Sequence, residues 1–141
     1  MAANEAAAAS TVRTMNTTQV VYSTTYPSKG YAQNLAALGP GPNQSCDEKI
    51  GPTAAHACLL DAVLGCASGS WCIKNGYRYS VTARQRNLMG VDYVIVATPM
   101  GPNTGTKSYC STSDAVVRWK KAAPPLTAPI TVTECQRWQP L

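Results

Sequence analysis

The chain has 141 residues, enough for one domain with a modest core. Apolar residues make up 45% and charged residues only 13%, which excludes a disordered polyelectrolyte. The net charge of +5 admits anionic partners, but the basic residues are scattered and read first as a solvated surface.

Phe is absent, so the large core residues are seven Tyr, three Trp and a limited set of Leu, Ile and Val. Six cysteines, at 46, 58, 66, 72, 110 and 135, point to disulfides and an oxidising compartment. Zinc is the rival reading, yet there is no C-x-x-C pair and the single histidine is His56. No stretch reaches the roughly 18 to 20 apolar residues of a membrane span, and no signal-peptide core is visible. Residues 1–3 read as an expression start, and the cysteines imply that an export or anchor segment naturally precedes Asn4.

In chain order, Ala8, Val12, Met15, Gln19, Tyr22 and Tyr26 fall at helical spacing. A helix over 4–27 is expected, with Asn4 as its cap and Pro27 as its stop. Thr17-Thr18 and Val20-Val21 oppose it, because β-branched residues favour strands. Such a helix needs a surface to pack on. Leu35-Ala36-Ala37-Leu38 reads as one helical turn stopped by Gly39, followed by a Gly-Pro-Gly-Pro loop. A second short helix is expected from Thr53, with Cys58, Leu59, Ala62 and Val63 on one face and Gly65 at its end.

Residues 66–75 read as a compact loop between Cys66 and Cys72. Tyr77, Tyr79 and Val81 then alternate with Arg78, Ser80 and Thr82, the pattern of a half-buried strand. Val91–Thr98 reads as a central strand, Lys107–Thr112 as a third and Ala115–Lys120 as a fourth, with Asp114 at the turn between the last two. Ile130–Thr133 reads as a short edge strand ending at Cys135. The expected fold is α+β: a long N-terminal helix on a roughly four-stranded antiparallel sheet, with residues 28–141 as the head of a single domain.

This layout resembles the type IV pilin and pseudopilin family. The residues that carry the resemblance are Asn4-Glu5-Ala6, Arg13 to Thr17, Tyr22, Tyr26-Pro27, Gly30-Tyr31 and Leu35 to Gly39. Ala57 to Asp61, Gly76 to Tyr79 and Asp114 with its following strand continue it, so that it covers most of residues 4–121. The family's basic leader, cleavage site and apolar half-helix are not in this sequence, and Glu5 does not match the glutamate of that half-helix.

The resemblance implies a structural fibre subunit rather than an enzyme. Its N-terminal segment would anchor it in the inner membrane and later pack with other pilin subunits. The head would form the outer surface of an extracellular fibre. Ala8, Val12, Met15, Tyr22 and Tyr26 would bind the helix to the sheet.

Six cysteines allow 15 pairings. Nearest-neighbour pairing, Cys46–Cys58, Cys66–Cys72 and Cys110–Cys135, encloses the irregular segments that a thin core could not hold. The family resemblance favours the last of these, since pilins often carry a C-terminal disulfide loop. No cofactor or metal is expected: His56 has at best Asp61 a helical turn away, and the acids form no paired motif. Asp47-Glu48 reads as a solvated loop tip, and Asn16-Thr17-Thr18 and Asn43-Gln44-Ser45 match the glycosylation pattern.

Two other functions compete. A secreted disulfide-rich binding module would fold as a complete unit from Asn4. A DNA-binding minor pilin would need Arg84 and Arg86 to share one face with Arg118, Lys120 and Lys121.

Overall fold

A computed structural model describes residues 1–42, 46, 51–67 and 71–141. The expectations for Asn43, Asp47 and Glu48 lie outside the described residues. Helix α1 (Ala2–Thr25) is followed by the single turn α2 (Leu35–Leu38). Six strands then form a meander: β1 (Cys72–Lys74), β2 (Tyr77–Arg86), β3 (Met89–Pro99), β4 (Lys107–Thr112), β5 (Arg118–Lys121) and β6 (Gln139–Pro140). They are antiparallel throughout, in the order β1-β2-β3-β4-β5-β6. A short helix, α3 (Val132–Gln136), lies between β5 and β6. The fold is α+β, with six strands where the sequence suggested about four.

Helix α1 forms despite its β-branched residues, and its threonine hydroxyls turn back onto the helix. Thr14, Thr18, Thr24 and Thr25 each donate a hydroxyl to the carbonyl four residues back, at 2.8–3.2 Å. Its stability comes from tertiary burial of Ala8, Val12, Met15, Gln19 and Tyr22. Asn4 does not cap the helix: the first position is Met1, without a side-chain bond, and Asn4 Nδ2 donates instead to Thr104 O at 3.1 Å.

The helix covers one face of the sheet. Tyr77, Tyr79, Val81, Tyr93, Ile95, Ala97 and Tyr109 point to it. The half-buried pattern of residues 77–82 would leave Ser80 facing water, and here the structure differs. Ser80 is buried, and Val94, Val96 and Cys110 pack with Val132, Cys135 and Trp138 of the C-terminal segment. The sheet is therefore sandwiched between a helix and a tail. Disulfide Cys110–Cys135 fastens that tail, while Cys46–Cys58 and Cys66–Cys72 close the other two pairs.

Three expected elements are replaced. No helix runs from Thr53 to Val63. The amides of Ala57, Leu59 and Leu60 donate to Ala37 and Leu38 carbonyls, and Cys58 N donates to Gly39 O, so the backbone satisfies α2 rather than itself. Cys58 also sits at φ 58°, which no α-helix accommodates. Ile130–Thr133 is not an edge strand: Thr131 caps α3 by accepting from Glu134 N at 3.1 Å. The 66–75 loop contains β1, closed on β2 by Asn75-Gly76, both at positive φ. Gly39 does follow α2, but with an extended backbone. A Cβ there would lie 2.2 Å from Gly65 O, so close approach explains the glycine.

Candidate functional site

The seam between α1 and the sheet is built from apolar and polar pieces. Ala8, Val12, Met15 and Tyr22 are buried in the main core, and Tyr26, half-buried at the helix exit, packs against it with its ring 5.0 Å from that of Tyr22. Between them lie two amide side chains that hydrophobic periodicity did not single out as polar anchors. Asn16 donates to Ser111 Oγ at 3.0 Å and accepts from the Tyr93 hydroxyl at 2.8 Å. Gln19, fully buried, accepts from Ala32 N at 2.8 Å and donates to Ala32 O at 2.9 Å. Tyr22 donates its hydroxyl to Ala54 O. Apolar contacts tolerate a helix sliding by a turn, whereas these bonds accept one register.

At the start of α1, the Glu5 carboxylate accepts from both the amide and the hydroxyl of Thr106, at 3.1 and 2.9 Å. Together with Asn4 this ties the first turn to the loop before β4. The opposite helix face, Ser10, Arg13, Thr14, Thr17, Val20, Val21 and Thr24, is exposed along its length. It carries one charge and two exposed valines.

Burial raises the core tyrosines above their ordinary pKa. For Tyr77 the charges of Tyr109 and Glu5 add to it, and for Tyr93 those of Tyr31, Asp92 and Asp114. For Tyr79, burial is opposed by a bond with Thr11. Burial works to raise Asp114 too, but the Val116 amide, the Arg118 and Thr112 side chains and the Arg118 charge outweigh it and leave the carboxyl below its usual range.

The basic residues are not gathered into one patch. Arg84 and Arg86 end β2, whereas Arg118, Lys120 and Lys121 belong to β5, with β3 and β4 between. Helix α3 lies over those middle strands. Arg118 pairs with Asp114 at 3.0 Å, Arg84 with Asp92 at 3.5 Å, and Lys120 sits over the Trp138 ring. His56 is half-buried against Gly41, beside a groove of about 520 Å³ shared with Tyr22, Tyr31 and Asn34. Asp61 does not serve it: that carboxylate accepts from the Val63 and Leu64 amides. Asn16 of the first glycosylation pattern is buried in the seam.

Among the described residues no group of three or more His, Cys, Asp or Glu could hold a metal ion, and no helix is long and apolar enough to cross a membrane. The disulfides are compatible with an extracellular location. No protein-family model, curated protein or solved structure matches this chain.

Proposed function

We propose that this domain is the head of a pilin-like subunit, a building block of an extracellular fibre. The observation that carries the reading is the placement of α1. Its buried face begins at Ala8, while its first turn lies at the sheet margin, held there by Thr104 and Thr106. A helix continued from that end would leave the head as a free rod, available to a membrane and then to a fibre core. The register-fixing bonds of Asn16 and Gln19 would transmit load between rod and head. The exposed strip from Arg13 to Thr24 would meet neighbouring subunits, and the Cys110–Cys135 tail would stiffen the outward face.

The test is the coding sequence upstream of Asn4, combined with electron microscopy of surface filaments labelled by antibody to this domain. A basic leader, about 20 apolar residues and labelled filaments are expected. Val20→Arg, on the exposed strip, should abolish the filaments and leave the melting temperature unchanged. An ordinary cleavable signal peptide directly before Asn4, with label only on unassembled protein, would sink the proposal.

A further inference from the structure

The β2–β3 hairpin ends in a tip that neither backbone preference nor burial accounts for. Arg86 pairs with Met89, so the loop is two residues, Asn87 and Leu88, at φ 52° and 65°. A turn with two left-handed residues suits the twist of paired strands and is ordinarily met by Asn followed by Gly. The β1–β2 hairpin does this with Asn75-Gly76. At the β2–β3 tip the second position holds leucine, whose Cβ is disfavoured in that conformation. Leu88 is also 86% exposed, more than any other large apolar residue among those described. Met89 and Val91 beside it are 39% and 43% exposed. Val91 is the extra residue of a bulge, since Arg84 faces Asp92 while Gln85 faces Gly90.

The tip is cationic and firmly held. Arg84 and Arg86 flank it, both exposed. The acid among them, Asp92, is already engaged by Arg84 and by the Ser113 hydroxyl at 2.7 Å. Two arginines therefore stand beside one carboxylate, and Arg86 is left unpaired by it. Gly90 N donates to Lys29 O at 2.9 Å, and Tyr31 N donates to Gly90 O at 3.0 Å. A Cβ on Gly30, itself at φ 69°, would lie 2.1 Å from Gly90 O, so this junction requires a glycine. The hairpin is clamped to the helix exit, and the strained leucine is presented on a rigid base.

We propose that this tip is a membrane-docking element: Leu88 and Met89 enter the apolar boundary of a bilayer while Arg84 and Arg86 bind anionic lipid head groups. The order of chemistry along the projection, apolar at the apex and positive behind it, is that of an anionic leaflet met from water. Charge complementarity selects the anionic surface. Nucleic acid would use the same cations but leave the strained leucine in water. The inference stands whether or not the chain assembles into a fibre.

The test is flotation of the whole chain with vesicles of phosphatidylcholine alone and with vesicles of equal phosphatidylcholine and phosphatidylglycerol. Binding is expected only to the second, weakening as salt rises. Leu88→Gly should weaken it about tenfold or more, the scale set by burying one leucine side chain. The same variant should raise the melting temperature, because it relieves the turn. Leu88→Asn, which also tolerates a left-handed backbone, should lose binding likewise. Arg84→Gln with Arg86→Gln should lose binding at unchanged fold. The proposal is overturned if the wild-type chain ignores the anionic vesicles at low salt. It is equally overturned if Leu88→Gly binds as well as wild type, which would reduce the effect to charge. Loss of self-association in Leu88→Gly without any vesicle binding would assign the tip to a second copy of the chain instead.

Discussion

Replacing Gln19 by Met keeps the length and most of the volume of the side chain but removes both of its hydrogen-bonding groups. Ala32 N and Ala32 O, in a residue only 1% exposed, then lose the partners they have at 2.8 and 2.9 Å. Leaving one buried polar group unsatisfied costs about 1–3 kcal/mol, so the pair should cost about 2–6 kcal/mol. That is a large part of the stability of a domain this size, about 5–15 kcal/mol. Urea unfolding followed by circular dichroism should show a lower midpoint at unchanged slope, and the Ala32 amide should lose its protection from hydrogen exchange. Thr17→Ala, on the exposed side of the same helix, is the control and should stay within about 0.5 kcal/mol. A loss below about 1 kcal/mol in Gln19→Met would refute the reasoning, since Ala32 would then have found other partners.

Removing Cys110–Cys135 by paired alanines should destabilise the domain more than removing Cys66–Cys72. The sequence separations are 25 and 6 residues, and loop entropy alone gives about 3.5 against about 2.2 kcal/mol. Equal or reversed losses in non-reducing urea titrations would show that the tail is held mainly by the contacts of Val132 and Trp138. Alkaline pH should unfold the protein cooperatively. Tyr77, Tyr79 and Tyr93 are raised above 10.0 in the folded state, so their contribution is complete below pH 10 and is lost as pH climbs toward their folded values. Phenolate absorbance should therefore rise together with the loss of circular dichroism, and a smooth tyrosine titration of an intact fold would contradict this.

Much of this architecture was written in local pattern. The 3.6-residue stripe of α1, the alternation of β2 and the apolar run of β3 depend on which face of each element meets water, and that is encoded residue by residue. Two missed elements had local signals as well. Asn75-Gly76 marks the β1–β2 turn, and Thr131-x-x-Glu134 marks the start of α3. The basic residues were legible only as clusters, because whether Arg84 lies near Lys120 depends on strand order and on the tail that crosses between them.

The sequence by itself determined the fold class, an N-terminal helix joined to an antiparallel sheet, because burial periodicity and turn chemistry act over a few neighbouring residues. Only the tertiary structure decided that residues 57–60 spend their amides on α2, that Ser80 is buried, and that Asn16 and Gln19 fix the helix register. Each of these depends on a partner distant in the chain: Asn16 and Ser111 are 95 positions apart, and no local pattern carries such a pairing.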